Sequence, residues 1–473
     1  MQYTHTEASG QLAFTDTSSY LRIPSSLHGF ENTDTTIHET VEGRTVFRFE
    51  GSIILTEDDR ICEQCGRRMH SNGKCKSNTI TLRHLPFGGD LTCVTFAHKQ
   101  LRCPECEATK MQHISFKADG HLITEELLNY TRDLLASGHY TVKEVAGITG
   151  LGKNTVKDID KQRLLDKYTI DGKNLKKPEK TTRILGIDEF KLHNGHRYAT
   201  HIIDLENGHI LWIGHGKKKQ IVYDFIAHVG MDWMSHVEAI ACDMNSDFQE
   251  AFEDTCEWVQ PVFDRFHIVK NFNDKVITEV RRDEQRRLEE EGNHKAAKAL
   301  KRTRYILTSK RLTLQKKDQE AAEGKVLSKG SDLFGTEQVV RKSGYESKYD
   351  ELIKENELLF TLDLIKDKLD EAYRQTQEPV MADMMMEIID LCKATKNSRL
   401  LWFARLIDSH FEGIIAHATY RISSGKIEGI NNKIKTIRRQ GYGYPDDEYF
   451  FLKIIDSSRN TYIRNPKSHK IYD

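Results

Sequence analysis

At 473 residues the chain exceeds what one hydrophobic core organises, so two to four domains are expected. It is 38% hydrophobic and 30% charged with a mean hydropathy of −0.60, and no apolar run approaches the roughly 18–20 residues that span a bilayer, which excludes a membrane protein of helical type. A formal net charge of −1 excludes a polycation, so nucleic-acid binding has to come from local basic patches such as 433–444 and 459–470.

The first ten residues, MQYTHTEASG, lack a basic segment followed by an apolar one, so no secretion signal is expected. Nine cysteines, four of them in CxxC pairs, fit metal binding in a reducing cytoplasm better than a disulfide framework. Residues 1–55 form an acidic extension with short apolar alternations such as Thr45-Val46-Phe47-Arg48-Phe49, to which no function attaches. Residues 56–118 carry Cys62-Glu63-Gln64-Cys65 and Cys103-Pro104-Glu105-Cys106, separated by 37 residues (103 − 65 − 1) with strand-like pieces between. Two CxxC knuckles flanking short strands bring four thiolates onto one structural Zn²⁺, the pattern of a zinc ribbon. The competing reading is two unrelated turns with buried thiols. Cys75 and Cys93 are surplus thiols, and His70 and His84 are weaker ligand candidates.

Residues 119–172 read as helices, the first over 122–136 and stopped at Gly138. Thr141 followed by Glu144 is a capping box, and a glycine-containing turn leads to a second helix with Val156 and Ile159 inward. This is the pattern of a helix-turn-helix DNA-binding domain, with Lys153, Asn154, Thr155 and Lys157 facing a major groove. A plain helical hairpin is the competing reading.

After a Lys-rich linker, residues 180–275 alternate between strand and helix patterns. Strands are expected over 184–190, 196–204 and 209–214, the last two joined through Asn207-Gly208, a strong hairpin signal. Helix 221–229, strand 237–242, helix 247–256 and strand 259–263 follow, which together describe an α/β sheet of ribonuclease-H type. Residues 276–418 are helical and highly charged and form an all-helical insertion. Arg281, Arg282, Arg286 and Arg287 there line either a phosphate track or a solvated face. Residues 419–460 complete the core, and 461–473 form a basic tail.

Within this frame three carboxylates stand out. The apolar run Ile184-Leu185-Gly186-Ile187 ends in Asp188, and a second apolar run ends in Asp243. A carboxylate at the end of a buried strand costs several kcal/mol unless something compensates it. Glu428 lies in a helix whose Ile427, Ile430, Ile434 and Ile437 form one stripe, while Glu428, Asn431, Asn432, Lys435 and Arg439 share another face. Three carboxylates from two strands and a later helix can hold two divalent cations about 3.5–4 Å apart, and hard oxygen ligands suit Mg²⁺ or Mn²⁺.

The stretches Ile187-Asp188-Glu189, Cys242-Asp243-Met244, Asp264-Arg265-Phe266-His267 and Ile427-Glu428-Gly429-Ile430-Asn431-Asn432-Lys433-Ile434-Lys435 carry a specific resemblance. With Gly441-Tyr442-Gly443-Tyr444, they make the chain similar to bacterial insertion-sequence transposases of the ISL-three group, a DDE enzyme family. The intervals of 55 (243 − 188) and 185 (428 − 243) suit such a catalytic domain with a helical insertion. The resemblance covers roughly 56–455, and the acidic N-terminal extension departs from it.

The resemblance implies that Asp188, Asp243 and Glu428 bind the catalytic metals, with Asp264 and His267 in support. Glu189, adjacent to Asp188, alternates to the other strand face and is not expected to ligate. Asn432, Lys435, Arg438 and Arg439 are expected to contact DNA, with Tyr442 and Tyr444 available to stack. The implied activity is a DNA transposase that binds the terminal inverted repeats of its element as double-stranded DNA, then cleaves and joins them to target DNA. It would act as a homo-oligomer in the bacterial cytoplasm, on the nucleoid and on no membrane. A zinc-containing regulator with an inactive catalytic domain, or a nuclease without strand transfer, are the alternatives.

Overall fold

The computed structural model describes residues 11–12, 27, 29–39, 43–72, 78–87, 89–195, 197–244, 246–328, 339–422, 425–441 and 443–459. Cys75, Tyr442, the 461–473 tail and most of residues 1–26 lie outside them. The chain divides into two compact units, 1–176 with 435–473 and 177–434.

The first unit contains a five-stranded sheet of order β1-β2-β3-β6-β5. Its strands are β1 (Gln11–Leu12), β2 (Phe30–Glu39), β3 (Thr45–Ile53), β5 (Asn78–Phe87) and β6 (Asp90–His98). Strand β3 runs parallel to β6, so the acidic extension and the cysteine-bearing segment share one sheet. Phe49, Leu82, Val94, Phe96 and Phe116 pack on one another beneath it. A separate small sheet joins β4 (His70–Ser71), β7 (Gln100–Arg102) and β8 (Thr109–Met111) beside the two CxxC turns.

Three helices follow: α1 (Glu125–Ala136), α2 (Val142–Thr149) and α3 (Lys153–Tyr168). The capping box forms as the sequence indicates, with Glu144 N–H donating to Thr141 Oγ1 at 3.3 Å and Thr141 N–H to the Glu144 carboxylate at 2.7 Å. Gly150 ends α2 with φ +70°, where a Cβ would also meet Leu91 Cδ2 at 2.3 Å. Val145, Val156 and Ile159 face the apolar side shared with Leu127 and Leu135.

The second unit is built on a five-stranded sheet of order β11-β10-β9-β12-β13. Strands β9 (Ile184–His193), β10 (Arg197–Asp204) and β11 (Ile210–His215) are antiparallel, with the hairpin turning through Gly208 at φ +82°. Helix α4 (Gln220–Val229) leads to β12 (Ala239–Cys242), and α5 (Ser246–Thr255) to β13 (Gln260–Phe263). Both β12 and β13 run parallel to β9. One sheet face, through Leu185, Ile187, Ile240 and Cys242, joins a continuous core with Val222 and Phe225 and with insertion residues Ile277, Ile388 and Phe403. The insertion is helical, including Thr278–Glu290, Glu357–Ala372, Glu378–Ala394 and Ser398–Ser409, but a short strand pair, Val326–Ser328 with Val339–Val340, interrupts it. The sequence pattern gives no sign of that pair, because each strand is too short to show alternation.

The opposite sheet face receives α7 (Gly425–Gln440), the helix that carries Glu428; α6 (Arg265–Asn271) starts just past β13. Gly186 makes room for α7: a Cβ there would stand 3.1 Å from Ile427 Cδ1 and 3.0 Å from Ile203. Lys426 fastens the start of the helix by donating to the carbonyls of Leu205 and Glu206 at 2.6 and 2.7 Å. A last helix, α8 (Asp447–Arg459), lies against α3 within the first unit.

Candidate active site

Register decides which side chains meet at the strand ends. Strand β12 pairs with β9 at a constant offset of 55 (239 − 184). Continuing that offset sets Asp243 level with Asp188 (243 − 188 = 55). The β13 offset is 21 (260 − 239), which sets Asp264 level with Asp243 (264 − 243 = 21). Neighbouring strands lie about 4.8 Å apart and paired residues point to the same face. Three aspartates therefore stand level with one another on the face that α7 covers, Asp188 in the middle of β9 and Asp243 and Asp264 just past the carboxyl ends of β12 and β13, where open α/β sheets place their ligands.

Each aspartate is held differently. Asp188 Oδ1 accepts from the Glu189 N–H at 2.8 Å, and its Oδ2 accepts from Asn431 Nδ2 of α7 at 2.6 Å. Its carbonyl faces Nδ1 of His201 at 2.8 Å, and burial pulls that imidazole below its usual pKa, so it is neutral. Asp243 is half-exposed; its Oδ1 accepts from the Met244 N–H at 2.7 Å and lies 3.1 Å from His267 Nδ1 on α6. Asp264 caps α6, accepting from the Phe266 N–H at 2.9 Å through Oδ1, while its buried Oδ2 has no hydrogen-bond partner. Glu428 is exposed and sits one helical turn before Asn431. Glu189 lies on the other strand face, where burial raises its carboxyl, offset by Lys217 and reinforced by the charges of Asp188 and Asp243. Asp188 and Asp243 are thus close enough to be felt by the same group.

The cysteines are the one group of three or more His, Cys, Asp or Glu residues, among the described residues, whose donor atoms all lie within 4.8 Å of one another. Cys62 Sγ is 3.5 Å from Cys106 Sγ, and Cys65 Sγ is 3.4 Å from Cys103 Sγ. Both knuckles turn back four residues after their first cysteine, at Gly66 (φ +69°) and Glu107 (φ +57°). Backbone N–H groups of Cys65 and Gln64 lower the Cys62 thiol to about 7, and the Cys106 N–H lowers Cys103. The Arg67 N–H lowers Cys65, but the Cys103 hydrogen bond and burial outweigh it and push the thiol up to about 12. Four sulfurs within reach of one another, with backbone N–H groups favouring the thiolates of Cys62 and Cys103, are a donor set that fits a thiolate-binding metal. Cys93 stands apart, buried on β6 beside Arg83, and His84 is engaged with Thr124.

Lys153 and Asn154 are exposed at the start of α3, and Thr155 is half-buried. Lys157 is more engaged: its ammonium lies 3.9 Å from the Asp446 carboxylate and over the Tyr449 ring. Asn432, Lys435 and Arg439 are exposed along α7, and Arg438 is half-buried. In the insertion, Arg282 and Arg287 pair with Glu279, Glu284 and Glu291 of their own helix, the arrangement of a solvated face. Asn431 as the partner of Asp188 was missed by reading for charged ligands alone, although its spacing of three from Glu428 put it on the right helical face.

No helix among the described residues is long and apolar enough to cross a membrane. The chain is similar to the transposase for insertion sequence element IS1001 of Bordetella parapertussis, 27% identical over 395 residues, which cover 83% of this chain and 87% of that protein. A family model for ISL3-type DDE transposases, described as "Transposase", matches residues 185–454, from the strand that delivers Asp188 to the helix that follows Glu428, and the chain belongs to that family.

Proposed function

We propose that this chain binds double-stranded DNA at the terminal inverted repeats of its insertion sequence and carries out metal-dependent cleavage and strand transfer at Asp188, Asp243 and Glu428. The shared register of Asp188 and Asp243 on the face covered by the Glu428 helix carries this reading. The core is then of ribonuclease-H type, interrupted by the helical insertion. The four cysteines hold a structural Zn²⁺, and α2 with α3 acts as a helix-turn-helix that presents Lys153, Asn154 and Thr155 to a groove.

The donor set at the sheet end fits a hard divalent cation such as Mg²⁺ or Mn²⁺: every side chain offers oxygen, and a buried amide oxygen, Asn431 Oδ1, lacks a partner there. Asp188, Asp243 and Glu428 would hold it, and when bound it supplies activation of a water or 3′-hydroxyl and neutralisation of charge on the transferred phosphoryl group. The protein's own part is positioning. The Glu189 N–H fixes the Asp188 carboxylate, and His267 fixes that of Asp243. Lys435 and Arg439, exposed on α7, neutralise DNA phosphates. Two ends have to be paired, which calls for a homo-oligomer.

The test is an end-cleavage and strand-transfer assay with Mg²⁺. Asp188→Asn is expected to abolish both reactions while end binding persists, and undiminished cleavage by that variant overturns the assignment. Metal-independent end binding with no nicking by the wild type would favour a DNA-binding regulator instead.

A further inference from the structure

Asn431 is more than a neighbour of Asp188. Its Nδ2 donates to Asp188 Oδ2 at 2.6 Å, whereas its Oδ1 is buried with no hydrogen-bond partner. A buried acceptor left unpaired costs about 1–3 kcal/mol, so this oxygen gains from any donor or cation that reaches it. Asp188 meanwhile accepts one hydrogen bond at each oxygen, Oδ1 from the Glu189 N–H and Oδ2 from Asn431, which leaves each oxygen a second lone pair. A cation seated between Asp188 Oδ2 and α7 would displace the N–H that now points there.

A half-turn of the amide about its last side-chain bond achieves both changes. It exchanges donor and acceptor in nearly the same volume, withdrawing the N–H from Asp188 and directing the carbonyl oxygen at the space it vacated. Asn431 follows Glu428 by three residues, so both side chains project from one face of α7. A neutral oxygen also adds a ligand without adding repulsion to a site that already gathers carboxylates, and amide carbonyls are ordinary ligands of hard cations.

We infer that Asn431 is a metal ligand alongside Asp188, Asp243 and Glu428, and that its amide nitrogen holds Asp188 in place while no metal is bound. The inference rests on the reading of those three acids as metal-binding. It deepens that reading by adding a residue whose two ends serve two states of the site.

The test uses the full-length protein and Mn²⁺ alone, with binding followed by calorimetry and by the electron-spin signal of free Mn²⁺. Asn431→Leu removes both amide ends in a similar volume and is expected to weaken Mn²⁺ binding about 10–100-fold. Asn431→Asp keeps the oxygen but loses the donor, and is expected to bind Mn²⁺ at least as tightly as wild type. Equal weakening by both variants would mean that the amide acts only by donating to Asp188, and unchanged binding by Asn431→Leu would remove it from the site; either overturns the inference and leaves the acids in place. Mn²⁺ binding by Asp188→Asn equal to wild type would instead overturn the carboxylate reading itself. Melting temperatures measured without metal show that each variant is folded.

Discussion

Asp160 and Asp456, in the first unit, have every carboxylate oxygen occupied, whereas the strand-end carboxylates of the second unit are surrounded by polar atoms without partners. Asp160, fully buried, accepts from Arg163 through Oδ1 at 2.8 and 3.0 Å and from Tyr449 and Lys453 through Oδ2 at 2.7 and 2.9 Å. Asp456 accepts from Lys167, Tyr168 and Arg163. Burial opposes its ionisation, but hydrogen bonds from Lys167 and Tyr168 outweigh that and hold its carboxyl below the usual range. At the strand ends of the other unit, Asp264 Oδ2, Asn431 Oδ1, His201 Nε2 and Glu189 Oε2 are buried and unpaired. A closed network ties helices together and gains nothing from a ligand. An open one is costly in isolation and is relieved by whatever completes it, which is how a binding site differs from a fastening.

The largest expected effect breaks the open network. Asp188→Asn should lower end cleavage by at least about 10³-fold, because a ligand proposed for the catalytic cation is lost. Its melting temperature without metal should stay close to that of wild type, since the new amide still offers one oxygen to the Glu189 N–H and the Asn431 amide can turn to accept at the other end. The closed network should answer in the opposite way. Asp160→Ala takes the acceptor from Tyr449 and Lys453 and leaves Arg163 with Asp456 alone, and removing one partner of a buried ion network costs about 3–5 kcal/mol. Urea unfolding of that variant should show the loss directly, and a shift below 1 kcal/mol would mean that α3 and α8 are held by apolar packing instead.

The cysteine cluster lies between these two cases: its four sulfurs contact one another in pairs, and the zinc proposed above would bind all four. Cys62→Ser should take the bound metal, measured by elemental analysis, from one per chain to none, and should weaken end binding while Mn²⁺ binding at the carboxylates stays unchanged. Retained metal in that variant would move the ligand set elsewhere. Chelation of the wild type should reproduce the loss and should be reversed by adding zinc.

What the sequence disclosed follows from the range of the forces involved. The capping box at Thr141, the turn at Gly208 and the two cysteine knuckles are local, so a few adjacent residues determine them. Asp188 and Asp243 could be picked out because a carboxylate ending an apolar run is an anomaly in one dimension, and their interval of 55 equals the register offset of their strands. The Asp160–Tyr449 bond joins residues 289 positions apart and leaves no mark in the periodicity of either helix. Pairing of β3 with β6 is equally invisible: the alternation over 45–49 signals a strand, but nothing local names its neighbour. Asn431 lay between the two extremes, on the correct face but chemically neutral, and only its contact with Asp188 marks it.

The smallest expected effect concerns a histidine that is half satisfied, and so tests the contrast from its middle. His84 Nδ1 faces Thr124 Oγ1 at 3.0 Å, and Thr124 Oγ1 also accepts from the Leu127 N–H at the start of α1. The shared proton sits on either the hydroxyl or Nδ1, and in both cases Nε2 is buried with no hydrogen-bond partner. Adding a second proton would place a charge where nothing receives it, and burial accordingly lowers the His84 pKa to about 4. A histidine whose folded pKa is depressed contributes stability that is present above its unfolded pKa of about 6.5 and is lost as pH falls through the folded value. Wild type should therefore lose melting temperature between about pH 6.5 and 4 more steeply than His84→Met, which starts lower at pH 7 because it has lost the Thr124 contact. Parallel slopes in the two proteins would assign the acid sensitivity to the carboxylate networks, with His84 acting only as a spacer between β5 and α1.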